Sequence, residues 1–232
     1  MSKLHTQHLL LLLFLRLLIK KITTATEVKA LVKWKTSLTS SESLSSWSLS
    51  NATNLCHWTG VICDATGSVA KIILPNSTLT STLNELDFAS FANLIQLKIH
   101  LNLLVEMLPS NTSTLSKLTH LDLSGNNFTQ PFPSSIGRLS ELQDLQLYNN
   151  SLSGLLNLQK ACRFDFGSNY LESPESTASA NMPVVIFLAL NLNKMTSEFP
   201  PFILNCSTLT HLDLSQNQLN GPIPALLATK LN

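Results

Sequence analysis

The stretch FDFGS at positions 164 to 168 contains Asp165-Phe166-Gly167, a triplet that holds magnesium in some phosphoryl-transfer enzymes. No glycine-rich phosphate loop, paired lysine or HRD-type loop accompanies it. Phe164 and Phe166 also fall on two positions that the periodicity below assigns to a core, so magnesium chemistry is rejected. Six histidines raise the question of a metal. His120 and His211 lie four units apart, about 19 Å at a strand spacing of about 4.8 Å, while His100 and His120 fall in different columns; solvated imidazoles are expected. Asp122 and Asp165 share an outward column, with Gln146 between them. At about 9 to 10 Å and without a cleft, they are not a hydrolytic carboxylate pair. No nucleophile elbow supports a Ser-His-Asp order. The expectation is a chain without catalysis, cofactor or metal.

A repeat places these positions relative to one another. LTHLDLSGNNF at 118 to 128 and LTHLDLSQNQL at 209 to 219 agree at eight of eleven positions, and give the template L-x-x-L-x-L-x-x-N-x-L. The template fits seven times, starting at Val69, Leu94, Leu118, Leu142, Ala161, Val185 and Leu209, at intervals of 25, 24, 24, 19, 24 and 24 residues. Within each unit x-L-x-L-x alternates with period two, so the leucines face a core and the interleaved residues face outward from a short strand. One such coil cannot bury its own leucines, but stacked coils bury them in one continuous core. The asparagine recurs in six units, with Ser77 in its place in the first. It sits where the chain leaves the strand, and its amide can bond open backbone groups of adjacent coils.

After the asparagine, unit seven reads LNGPIPALLA and unit three FTQPFPSSIGRL; upstream stand ALVKWKTSL, LSSW and CHWTGVICD. Over residues 27 to 232 the chain resembles the plant-type leucine-rich-repeat family, and the upstream part resembles that family's amino-terminal cap. The resemblance implies an α/β solenoid with a helical cap over 26 to 68 and seven repeats over 69 to 232. Its short strands form a parallel sheet on the concave face, and its convex side is irregular or 3-10. Unit four ends at SLSGLLNLQK without the Ile-Pro tail, and ESPESTASANMP replaces that tail in unit five. Cys56 and Cys63 are expected to be bridged, whereas Cys162 on a strand and Cys206 on the convex side are expected to be buried thiols. In ALLATKLN, Leu226, Leu227 and Leu231 have little downstream sequence to pack against.

The first 25 residues, with an apolar run from Leu9 to Ile19, read as a signal peptide cleaved after Ala25, and the run is too short to span a bilayer. Without them the chain carries 11 basic and 14 acidic residues, a balance that argues against nucleic acid or an anionic membrane surface as partner. Six N-x-S/T sequons, at Asn51, Asn76, Asn111, Asn127, Asn149 and Asn205, suit a secreted glycoprotein. Membrane attachment would then come only through a further segment or a partner.

From unit three to unit seven the outward columns read His120-Asp122-Ser124, Asp144-Gln146-Tyr148, Arg163-Asp165-Gly167, Phe187-Ala189-Asn191 and His211-Asp213-Ser215. Gln146, Tyr148, Arg163, Asp165 and Phe187 at the centre combine aromatic, guanidinium and hydrogen-bonding groups typical of binding hot spots. The resemblance implies a non-catalytic extracellular recognition module for a peptide or protein ligand, with a co-receptor kinase as partner, working in signalling or defence at the outer face of the plasma membrane. The alternatives are a secreted inhibitor of a cell-wall-degrading enzyme, like the polygalacturonase-inhibiting proteins, and a truncated receptor fragment with no activity of its own.

Overall fold

The structure, a computed structural model, describes residues 2–154, 162–173 and 184–228. The start of unit five at Ala161, the tails 155 to 160 and 174 to 183, and Leu231 lie outside the described residues. The spine is one sheet of eight strands: β1 (Val61–Cys63), β2 (Val69–Ile73), β3 (Gln96–Lys98), β4 (His120–Asp122), β5 (Asp144–Gln146), β6 (Arg163–Asp165), β7 (Phe187–Ala189) and β8 (His211–Asp213), in that order. From β2 to β8 every pairing is parallel and in register, with Ile72, Leu97, Leu121, Leu145, Phe164, Leu188 and Leu212 forming one inward column. Parallel neighbours need a crossover, and each is made here by one 19 to 25 residue coil.

The asparagine acts as a rivet directed at the preceding coil. Asn126 accepts the Leu104 N–H on Oδ1 and donates Nδ2 to Ile99 O. Asn150 does the same to Phe128 N–H and Leu123 O, Asn169 to Leu152 N–H and Leu147 O, and Asn193 to Leu171 N–H and Phe166 O. These are the backbone groups that a turning chain would otherwise leave unpaired in the interior. The residue before the asparagine has positive φ in successive coils: Leu101, Gly125, Asn149, Ser168, Leu192 and Gln216. Only Gly125 suits that conformation without a Cβ penalty, so the rivet holds the turn against residue preference elsewhere.

The cap begins with the helix α1 (Ser2–Ser37), which runs across position 25 without a break. No helix of the described residues is long and apolar enough to cross a membrane. Trp34, Trp47 and Trp58 are buried as a stack with ring centroids 6.0 Å apart. Each indole N–H reaches a carbonyl, of Thr82, Thr59 and Asn51 respectively, so the largest apolar side chains close the first coil with no polar atom stranded. Cys56 and Cys63 are bonded, which ties the end of the Leu49–His57 segment to the end of β1. That strand pairs antiparallel with β2. The repeat pattern gives no hint of it, since VIC lies within the cap.

At the other end Leu212, Leu214 and Leu219 are only half-buried. With Phe199, Ile223 and Leu227 they line an open apolar groove of about 320 Å³. Leu226 is exposed, as its sequence context implies, but Leu227 is buried, because the short helix Ala225–Ala228 turns it back onto the groove. Cys206 is buried as expected, its Sγ 3.8 Å from Phe202 O, whereas Cys162 is only half-buried because it lies one residue outside β6.

Candidate recognition surface on the inner face

Parallel in-register pairing turns the outward positions into straight columns. The first runs Lys71, Gln96, His120, Asp144, Arg163, Phe187, His211, and the second Ile73, Lys98, Asp122, Gln146, Asp165, Ala189, Asp213. At the adjacent-strand spacing of about 4.8 Å, neighbours in a column touch. In the first column this produces a continuous ladder. Arg163 Nε stands 3.8 Å from Asp144 Oδ1, the guanidinium lies over the Phe187 ring at 3.8 Å, and the other ring face stacks on His211 at 4.3 Å and 2°. Salt pair, cation–π contact and ring stack thus restrain one another, so the long Arg163 side chain is held in place before any ligand arrives.

Gln146 supports the ladder from the side: its Nε2 donates to both carboxylate oxygens of Asp144, at 3.3 and 3.1 Å. Asp165 is half-buried and accepts the Gly167 N–H at 3.2 Å. Burial is the largest influence on this carboxyl and raises its pKa, opposed by the Gly167 hydrogen bond and Arg163. Asp213 is more open, and the Ser215 hydroxyl and N–H that it accepts lower its pKa. Glycine at 167 leaves room for a close approach, since a Cβ there would come within 2.5 Å of Asn191 Oδ1.

Of the five residues singled out in the sequence, Gln146, Arg163 and Phe187 therefore belong to one connected group. Asp165 flanks it, while Tyr148 stands apart, two residues beyond β5 and 36% exposed. Asp144 and His211 complete the ladder, though the sequence reading placed them only in columns; opposite charge and paired rings in adjacent units of one column were the available signal. Ala189, expected to face outward, is buried: its methyl is short, and the longer Asp165 and Asp213 flank it in the column. His100 Nδ1 is 3.1 Å from Asp122 Oδ2, and His120 Nδ1 is 2.8 Å from Thr119 Oγ1, so the two rings have separate partners. Among the described residues no group of three or more His, Cys, Asp or Glu is placed to hold a metal.

Five sequon asparagines, Asn76, Asn111, Asn127, Asn149 and Asn205, are exposed. Asn51 differs. It is half-buried in the cap, its Nδ2 donates to Ser46 O at 2.9 Å and its Oδ1 accepts from Asn54 Nδ2 at 2.8 Å.

Two family descriptions match: a leucine-rich-repeat N-terminal domain over residues 24–64, and the leucine-rich repeat itself over 117–139 and 208–229. Receptor-like protein kinase BRI1-like 3 of Arabidopsis thaliana is 34% identical over 79% of this chain, which spans 14% of that relative's length. Among solved structures, the Arabidopsis receptor kinase HAESA ectodomain, in complex with an IDA peptide hormone, superposes with a TM-score of 0.75 at 27% identity, over 90% of this chain and 36% of that one. HAESA in complex with the same hormone and the co-receptor SERK1 gives 0.56 at 25% identity, over 86% and 43%. Cap, repeats and parallel inner sheet agree with these matches: the chain belongs to the plant-type leucine-rich-repeat family.

Proposed function

We propose that the chain is a non-catalytic recognition module that binds an extended peptide or a protein segment along its inner face, centred on Asp144, Gln146, Arg163, Asp165 and Phe187. The observation that carries this reading is the ladder itself: a guanidinium held between a carboxylate and an aromatic ring, 3.8 Å from each, on an open sheet face. A preset arginine loses little further side-chain entropy on binding, and its free edge can still donate to a ligand carbonyl or carboxylate. Tyr148 would serve as an exposed aromatic contact beside it. The HAESA structures, which hold a peptide hormone and a co-receptor, support the class of ligand and a co-receptor kinase as second partner. An extracellular setting accords with the five exposed sequons.

Amide exchange measured with and without peptides selected from a random library tests the reading. Protection on binding is expected at β5 to β7, and protection confined to the convex 3-10 turns at Ser134–Arg138 and Pro201–Asn205 would overturn it.

A further inference from the structure

The inner face leaves one buried acid without a role. Glu27 sits in α1 with 0% exposure, yet it belongs to the cap and is remote in sequence from the recognition columns. Its Oε1 accepts the N–H of Val69 at 2.9 Å, at the start of β2, the first parallel strand of the solenoid. Its Oε2 is buried with no hydrogen-bond partner. A buried carboxylate normally carries two or more donors, so one N–H on one oxygen is poor compensation for a full negative charge but adequate for a neutral acid. We propose that Glu27 is a proton-controlled tie between the cap helix and the first repeat strand: protonated, it fastens α1 to β2, and ionised, it loosens the cap from the solenoid.

The surroundings favour the neutral form. From the turn after β1 comes Asp64, an acid whose charge adds to the cost; it is itself satisfied by Thr66, Ser68 and Asn93. From β2 comes only the Val69 N–H, Lys71 being placed in the inner-face column. On α1, Lys29 is exposed and Lys33 is committed to Glu85 at 2.8 Å. A chain beginning at Thr26 would add an α-ammonium one residue away, which would move the transition to lower pH. Burial pushes the Glu27 carboxyl from its ordinary 4.5 up to about 7, with the Val69 hydrogen bond opposing and Asp64 adding. The folded chain therefore keeps a proton that the unfolded chain has lost between these values, and stability falls as pH rises through that window. With those two values the unfolded-to-folded ratio at fixed denaturant grows about 40-fold between pH 5 and pH 7.

The test is denaturant unfolding of the full chain, followed by the fluorescence of Trp34, Trp47 and Trp58, at pH 5, 6 and 7. The native chain is expected to show the 40-fold rise. Glu27→Gln, neutral at every pH and still able to accept the Val69 N–H, is expected to show less than about a three-fold change. Asp64→Asn, which keeps an acceptor oxygen but removes the charge, should let Glu27 ionise at lower pH, so that the rise between pH 5 and pH 7 is smaller than in the native chain. A pH-independent native ratio, or a native-like rise in Glu27→Gln, overturns the proposal. If Glu27→Gln does not fold, an Asp64→Asn rise equal to the native one overturns it instead.

Discussion

Removing the rivet from the middle of the stack should cost far more than removing it from the last coil. Asn169 is 5% exposed and makes four bonds: Oδ1 from Leu152 N–H at 3.0 Å, and Nδ2 to the carbonyls of Leu147 at 2.9 Å and of Phe166 and Gly167 at 3.2 Å. In Asn169→Ala the Leu152 N–H loses its partner in the interior, while the Leu147 carbonyl loses one of two donors and keeps Asn150 Nδ2 at 3.1 Å. A buried unsatisfied N–H costs about 1–3 kcal/mol and the lost bond to the carbonyl about 1 kcal/mol more, giving about 2–4 kcal/mol in total. Asn217 makes equivalent bonds to Met195 N–H and Leu190 O, but it is half-exposed beside the open groove, where water can replace it. Asn217→Ala should cost about 1 kcal/mol. Asn169→Asp separates the two halves of the rivet: it keeps the acceptor for Leu152 but turns a carboxylate towards three carbonyls, so it should be at least as harmful as alanine at neutral pH. Denaturant unfolding by circular dichroism measures all three, with the slope watched for loss of cooperativity in a one-dimensional stack. A cost below about 1 kcal/mol for Asn169→Ala, or one equal to that of Asn217→Ala, would refute the reasoning.

Two further outcomes are expected. Replacing both Cys56 and Cys63 with serine opens a short loop and should lower stability by about 2.5 kcal/mol on the chain-entropy estimate, read as a shift of the unfolding midpoint; an unchanged midpoint counts against a constraining role for the bridge. Peptide mapping of secreted material should find glycans at Asn111, Asn127 or Asn149 but not at Asn51, whose amide already holds Ser46 and Asn54 in the cap; a fully occupied Asn51 shows that the cap folds without those bonds.

The repeat was legible because period two and the asparagine interval both follow from how one strand meets a core. Leu97, Leu121 and Leu145 could be placed on one column before any coordinates. The columns followed from register, since units of equal template length stack in phase even when a coil is five residues short. What remained hidden depends on side chains folding over one another. The buried state of Ala189 depends on its longer neighbours, and the ladder on rotamers of Arg163 and Phe187 that no column assignment specifies. Antiparallel β1 escaped because three residues, VIC, carry no periodicity. Glu27 escaped because a charged residue beside an apolar stripe reads as solvated, and only the approach of Val69 N–H reveals that it is enclosed.

The most direct test of inner-face recognition compares the affinity of library-selected peptides for the native chain and for the triple variant Tyr148→Ala, Arg163→Ala, Phe187→Ala. Each hot-spot truncation costs about 2 kcal/mol or more, so loss of even one such contact weakens binding about 30-fold, and loss of all three should abolish measurable binding, while secretion stays at the native level. Peptides that bind the triple variant as tightly as the native chain would contradict recognition on this face.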